Sequence, residues 1–348
     1  MEFSVLMPVY MAEKYLESAV KSVLDQSFSD YELVLAEDGS PDRSGELCDR
    51  LAREHPDKIR VIHCPHRGTI LTRRKAIGAA LGDFILWLDS DDLMVPGTLE
   101  RLHRLRIEGQ DPDIILYEFT AFYEDGQPDD KRPPLFPEGH VFQGESEKKP
   151  LYELLIRSNY LDSLCTKAVR RPLFQEDPTD YTPCLANPYG EDVLQGLYPL
   201  TKARRILYTG ESFCRYRMRQ ESVMHEFNPL MLDKRFNEGK REIFEPFMKE
   251  WGLWDAAHRT QLEASLYRSV LDGILYFRME KGYDQQAVKA YAKEFVKTHP
   301  RLKEISRDKA LSARQRFLLG SFAKLQLDPL CCAIRLKRKL SSLRRNVP

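Results

Sequence analysis

The chain opens as an exchange between apolar runs and segments with helical spacing. FSVLMPV, from Phe3 to Val9, is an apolar run of strand length with Pro8 near its end. YLESAVKSVLDQS follows, with Leu16, Ala19, Val20, Val23 and Leu24 on one helical face. YELVLAEDGS, from Tyr31 to Ser40, predicts a second strand that ends in acids and glycine. Ser40 and Asp42 then offer caps to a helix running through Leu47 and Leu51. KIRVIHC (Lys58–Cys64) predicts a third strand, and TRRKAIGAALG (Thr72–Gly82) a helix that stops at Gly82. FILWL (Phe84–Leu88) is almost wholly apolar, as a strand covered on both faces would be. Leu99, Leu102 and Leu105 mark another helix, and DIILYEF (Asp113–Phe119) another strand. This rhythm predicts an α/β fold, an open sheet with helices on both sides. Such sheets bind ligands at the carboxyl ends of their strands, which is where Asp38 and Asp89–Asp92 fall.

The pattern changes near Glu124-Asp125-Gly126, which reads as a hairpin turn. Residues 127–150 are polar and rich in proline, and predict an irregular excursion. Leu151–Val169 reads as helix and then extended chain, and Pro188–Gly210 as turn, helix and short strand. Beyond Asn228 the strand signals fade. Helices are predicted over Leu230–Trp251, Ala256–Glu280, Gln285–Thr298 and from Ala310 onward. Residues 1–228 therefore read as one α/β domain, and 229–348 as a helical region for acceptor or membrane contact.

Composition narrows the class. The 348 residues carry 53 Lys+Arg against 53 Asp+Glu, so the net charge is zero and no general nucleic-acid binder is indicated. MEFSVLMPVY lacks the charged-then-apolar layout of a signal peptide, and no apolar run reaches the roughly 20 residues of a spanning helix. The seven cysteines form no CxxC pair and read as reduced thiols in a cytoplasmic protein.

The candidate chemistry starts at Asp89-Ser90-Asp91-Asp92. Carboxylates this crowded raise one another's pKa unless a cation neutralises them. Mg²⁺ or Mn²⁺, with one or two carboxylates and substrate phosphates as ligands, is one remedy; a solvated acidic turn capping the next helix is the other reading. Arg73 either faces a diphosphate or is an ordinary exposed arginine beside Arg74 and Lys75. Glu191-Asp192 either supplies a general base or compensates a helix dipole. Tyr216-Arg217-Met218-Arg219 either holds phosphates or is a half-exposed strand.

Taken in order, VLMPVYMAEKYLESAVKSVLDQSFSDYELVLAEDGSPDRSGELCD, Arg73 before AIGAALGDFILWLDSDD, YGEDVL and YRMRQESVM resemble glycosyltransferase family 2, the inverting nucleotide-sugar enzymes of GT-A fold. The resemblance runs from about Phe3 to Met224. It implies that Pro8 and Tyr10 line the base and ribose pocket and that Asp38 bonds the nucleobase, usually uracil. It implies that Arg73 sits near the base or diphosphate, that Asp89 with Ser90 faces the ribose or metal sphere, and that Asp91 holds Mn²⁺ or Mg²⁺. Asp192 is the implied catalytic base. The implied reaction moves a sugar from a UDP-sugar to a glycan or lipid-linked acceptor, in cell-surface polysaccharide synthesis. Met11 stands where the family often has Asn, Glu37 where Asp is frequent, and Arg67 and Arg74 where Gly and Asn are frequent. The two arginines add charge beside the nucleotide pocket.

Near the end, Leu318, Leu319, Phe322, Leu325, Leu327, Leu330 and Ile334 precede a cluster of Arg335, Lys337, Arg338, Lys339, Arg344 and Arg345. An apolar helix face beside such a cluster suits an anionic membrane surface, and a helix packed on protein with a solvated tail also fits. Two rivals to an active transferase are a catalytically inactive sugar-nucleotide-binding or scaffold protein, and a DxD phosphatase. The phosphatase needs its motif after the first strand, whereas here it follows the fourth.

Overall fold

The structure, a computed structural model, describes residues 1–124, 129–131, 133–218, 227–279 and 283–334. The chain divides into two compact units, Met1–Leu155 with Asn159–Gln220, and Ile156–Ser158 with Glu221–Pro348.

Among the described residues the first unit holds ten strands: β1 (Phe3–Val9), β2 (Tyr31–Glu37), β3 (Ile59–His63), β4 (Phe84–Trp87), β5 (Leu93–Met94), β6 (Ile114–Tyr123), β7 (Asp130–Lys131), β8 (Val141–Gln143), β9 (Lys167–Arg170) and β10 (Arg205–Met218). Its helices are α1 (Leu16–Leu24), α2 (Ser44–Glu54), α3 (Thr69–Ala79), α4 (Thr98–Glu108), α5 (Glu145–Arg157), α6 (Arg171–Gln175), α7 (Thr182–Leu185) and α8 (Glu191–Lys202). The sheet runs β3-β2-β1-β4-β9-β6-β10-β5. β1 to β4 are parallel, β9 runs antiparallel between β4 and β6, and β10 is parallel to β6.

The apolar runs explain the burial. Every residue of β2 and β4 is buried, as is all of β1 except Pro8. The chain leaves β1 toward β2 and β3 on one side and toward β4 on the other, so the strand order reverses between β1 and β4. That switch point is where open α/β sheets form a crevice. β1 pairs with β4 only from Phe3 to Leu6, so Pro8 lies past the last rung. Its missing N–H costs little there and leaves the two strand ends unpaired.

The segment predicted to be irregular is more ordered than its composition suggests. Phe142 of β8 pairs with Ile206 of β10, and α5 starts at Glu145 with Pro150 inside its first turns. Pro150 is the sixth residue of that helix, where the Lys148 N–H already bonds the Gly144 carbonyl, so the ring removes one bond from the helical ladder. β7 folds back antiparallel on β6, as a hairpin would, but Asp125 and Gly126 of the predicted turn lie outside the described residues.

The second unit is helical: α9 (Pro229–Lys234), α10 (Gly239–Glu250), α11 (Ala256–Met279), α12 (Gln285–Thr298), α13 (Arg301–Ile305) and α14 (Ala313–Ala323). The single helix predicted over Leu230–Trp251 is two, separated at residues 235–238. Leu318, Leu319, Phe322, Leu327 and Leu330 belong to this unit's own apolar core, beside Val270, Ile274 and Phe295. Of the two covers left open for this stripe, membrane or protein, packing within the helical unit takes up most of it. The basic cluster from Arg335 to Arg345 lies outside the described residues. Among the described residues no helix is long and apolar enough to cross a membrane. All seven cysteines are free thiols.

Candidate active site

A cavity of about 300 Å³ opens at the switch point. The end of β1 supplies Pro8 and Val9, the loop after it Tyr10, Met11 and Ala12, and the tip of β4 Asp89, Ser90 and Asp91. Asp38, Thr69, Thr72, Arg73 and Glu191 complete the wall. The residues singled out as a donor and metal site therefore share one cavity. Asp192 stands directly behind it, ion-paired to Arg73.

The Asp89–Asp92 tip is a tight turn in which the Asp92 N–H donates to the Asp89 carbonyl at 3.0 Å. It does not cap α4, whose cap is Gly97. Its last carboxylate points away from the cavity. Asp92 is 1% exposed, and one oxygen accepts from the Arg217 N–H at 2.8 Å. Burial, together with Asp89 and Asp91, pushes its carboxyl well above the usual range. Arg217 is not the half-exposed, outward-facing side chain of one reading, and its charge is taken up within the protein instead of being offered to a phosphate. Its guanidinium is buried, donates to the Asp91 carbonyl at 2.6 Å, pairs with Glu124 and lies over Tyr15 and Phe122. It braces the acidic turn from below. Arg219 lies outside the described residues.

Arg73 lies at the centre of the charge balance. Only 3% of its side chain is exposed, and it faces Asp192, Asp89 at 3.4 Å and Glu191 at 3.9 Å. Its other face covers the Trp87 ring at 5.4 Å, and its buried Nε has no hydrogen-bond partner. Asp89 is nevertheless pushed up to about 6, chiefly by burial, with Arg73 opposing and Asp192 and Asp91 adding to the shift. Glu191 is pushed up to about 7 for the same first reason, with Asp192 next. Both Glu191 and Asp192 lie in the first turn of α8, entered through Gly190 at φ +80°. That backbone is cheap only for glycine.

Asp38 has a second task. One oxygen accepts from the Arg67 N–H (3.1 Å) and the Thr72 hydroxyl (2.6 Å), the other from the Gly68 N–H (3.1 Å) and His66 Nδ1 (2.9 Å). These four donors match the roughly four acceptor positions of a carboxylate. Asp38 therefore anchors the loop leading into α3. His66 in turn stacks on Tyr10, ring centroids 4.3 Å apart. Gly39 lets the chains meet here. It adopts φ +65°, and a Cβ would lie 2.8 Å from the His66 nitrogen.

Ser40 ties down a loop instead of capping α2, whereas Asp42 does both: one oxygen accepts from the N–H of Ser44, the first residue of α2, at 3.1 Å, and the other reaches the β1 loop. Ser40 Oγ accepts from the Met11 N–H at 3.3 Å and Asp42 from the Glu13 N–H at 3.3 Å. Met11 lies in the left-handed region at φ +50°, where Asn is tolerated far better than Met. Arg74, predicted to add charge to the pocket, instead turns to the Phe174 carbonyl and Asp177. Sequence reasoning passed over Lys167, wholly buried behind Asp192, because nothing in LCTKAVR marks it locally.

Among the described residues no three His, Cys, Asp or Glu groups form a ready-made metal cage. Asp91 and Asp89 supply hard oxygen donors at the cavity wall, a set that suits an ion completing its shell with phosphate and water.

Comparison with known proteins bears on the family and the fold. The profile of glycosyl transferase family 2 matches residues 4–175. Glycosyltransferase GlyG of Streptococcus pneumoniae is 31% identical over 122 residues, 35% of this chain and 40% of that protein. Minor teichoic acid biosynthesis protein GgaB of Bacillus subtilis is 32% identical over 128 residues, 36% of this chain and 14% of that protein. The match thus spans well under half of either relative. The structure of S. aureus TarS 1-349 in complex with UDP-GlcNAc superposes with TM-score 0.61 at 20% identity, covering 97% of this chain and 92% of that one. A mannosyltransferase of Pyrobaculum calidifontis, in complex with GDP-Man and Mn²⁺, superposes at 0.51 and 13% identity over 94% of this chain and 86% of that one. The fold is thus GT-A, and residues 4–175 of this chain belong to glycosyl transferase family 2.

Proposed function

We propose that this chain is an inverting glycosyltransferase that moves a hexosyl or N-acetylhexosaminyl group from a UDP-sugar to a hydroxyl of a glycan or lipid-linked acceptor. We place it in the making of a cell-surface polymer. The observation that carries the reading is the convergence of Tyr10, Asp38, Arg73, Asp89, Asp91 and Glu191 on one cavity at the switch point. Pro8 and Tyr10 flank the nucleoside, and Asp38 meets the base by exchanging one of its present donors for a base N–H. Asp91, with Asp89 beside it, would hold Mn²⁺ or Mg²⁺. Such an ion, when bound, offsets the charge growing on a departing diphosphate. Asp192 takes the proton of the acceptor hydroxyl as that oxygen attacks the anomeric carbon. Arg73 fixes the carboxylate that does so, and one in-line displacement inverts the centre.

One observation favours a second assignment of the base. Glu191, not Asp192, lines the cavity, and its carboxyl at about 7 suits proton transfer at neutral pH. Asp192→Asn and Glu191→Gln separate the two. The base variant loses roughly 10²–10⁴-fold in turnover with UDP affinity intact; the other loses far less. The reading as a whole is tested by a thermal shift with UDP. A rise in melting temperature that depends on Mn²⁺ supports it, since a ligand stabilises only the state that binds it. No rise with UDP or any other nucleoside diphosphate would leave a scaffold.

A further inference from the structure

Behind Asp192 lies a buried lysine that the proposed chemistry does not use. Lys167 opens β9, opposite Leu116 of β6, and is 1% exposed. Its ammonium donates to the Leu161 carbonyl at 2.6 Å and to the Ser163 carbonyl. The Thr166 hydroxyl donates to the same Ser163 carbonyl at 2.8 Å. The segment from Leu161 to Thr166 is thereby drawn into a single-turn 3₁₀ helix over Leu164–Thr166. The first N–H of that turn, from Leu164, donates to the second oxygen of Asp192 at 3.3 Å, while the first oxygen holds Arg73. The Asp192 carboxylate is therefore gripped from two sides. One grip is Arg73; the other is a backbone N–H whose place is set by Lys167.

A buried ammonium is a costly way to fill a strand position, because desolvation favours its neutral form. Burial indeed pulls Lys167 down to about 8, with Asp192 and Asp162 opposing. A leucine or methionine would pack against β6 without that cost. What an apolar side chain lacks is the capacity to hold two carbonyls of the same loop.

We infer that Lys167 is a positioning residue for the reaction, clamping the Leu161–Thr166 turn so that the Leu164 N–H holds Asp192 in the orientation its chemistry needs. The inference rests on Asp192 acting on the acceptor in the proposed transfer. The clamp is a claim about structure and can be tested apart from it.

The experiment uses the full chain with Lys167→Met, which keeps length but removes charge and donors. Thr166→Val is a milder companion that removes one donor to the Ser163 carbonyl with little change of shape. Three readings are taken: amide hydrogen exchange across residues 159–166, UDP affinity with Mn²⁺, and slow hydrolysis of UDP-GlcNAc. In Lys167→Met, protection of the Leu164 amide should fall, UDP affinity should stay within about twofold, and kcat for hydrolysis should drop by about 10²-fold at unchanged KM, as for an ångström-scale misplacement. Thr166→Val should move the same readings the same way by less. It decides the matter if Lys167→Met does not fold. Unchanged exchange at Leu164 overturns the clamp. Loss of UDP affinity in parallel with kcat overturns the positioning role, since the lysine would then hold the fold alone. If the wild type neither binds UDP nor hydrolyses the sugar nucleotide, the functional reading fails, and exchange at Leu164 still decides whether the clamp exists.

Discussion

Removing the guanidinium at Arg73 should destabilise the first unit in a way that acid relieves. Arg73→Met keeps most of the apolar contact with Trp87 and deletes the positive charge that faces Asp89, Glu191 and Asp192. Breaking a buried ion pair from one side typically costs about 3–5 kcal/mol, because the stranded charges remain desolvated. Here the stranded side chains keep some access to water, 36% for Asp89, 26% for Glu191 and 22% for Asp192. We therefore expect the lower end, about 3 kcal/mol. At about 2–4 °C per kcal/mol for a domain of this size, the melting temperature should fall by roughly 6–12 °C.

The pH dependence follows from Asp89 and Glu191, already raised to about 6 and about 7 with Arg73 in place. Losing the cation raises both further. A carboxyl with a raised folded pKa contributes most below its unfolded value, near 4, and loses that contribution as pH climbs through the folded value. The deficit of Arg73→Met relative to wild type should therefore shrink from pH 7.5 to pH 5. Urea unfolding in EDTA, followed by Trp87 fluorescence in a Trp251→Phe/Trp254→Phe background, reports on this unit alone. A deficit under 1 kcal/mol at pH 7.5, or one that widens on acidification, would refute the charge balance described here.

Three other outcomes are expected. Met11→Asn places a residue suited to φ +50° in the cavity wall and should stabilise the protein by about 1 kcal/mol, read as a higher urea midpoint at unchanged m. Gly39→Ala meets both a positive φ and the His66 nitrogen, so it should cost roughly 1–3 kcal/mol and weaken UDP binding through the displaced loop, measured by calorimetry. Asp91→Ala should leave the circular dichroism spectrum unchanged while abolishing the Mn²⁺ dependence of UDP binding; retained dependence would move the metal assignment elsewhere.

The acidic tips were legible because each follows an apolar run that could only be a covered strand. Asp38 after β2 and Asp89 to Asp91 after β4 had to emerge at one end of a parallel sheet. Asp92 was not distinguishable from its neighbours, since its different task depends on Arg217, 125 residues away. His66 was invisible for the same reason, its partner Asp38 lying 28 residues away. Lys167 was invisible for another: its ammonium binds backbone carbonyls of Leu161 and Ser163, close in the chain, and a carbonyl carries no side-chain signature. The apolar stripe from Leu318 to Leu330 shows the opposite failure. A periodic apolar face demands cover, and the pattern alone does not say whether lipid or protein supplies it. Here the helical unit's own core does.

The central claim is nucleotide-sugar transfer with inversion at a cavity built from the ends of β1, β2 and β4. Its most direct test is the anomeric configuration of the sugar first released when the protein slowly hydrolyses an α-linked UDP-sugar, followed by proton NMR before mutarotation blurs the result. The account predicts the β-anomer, formed in wild type and suppressed in Asp192→Asn. Release of the α-anomer would contradict the single displacement, and phosphate release without sugar release would contradict glycosyl transfer altogether.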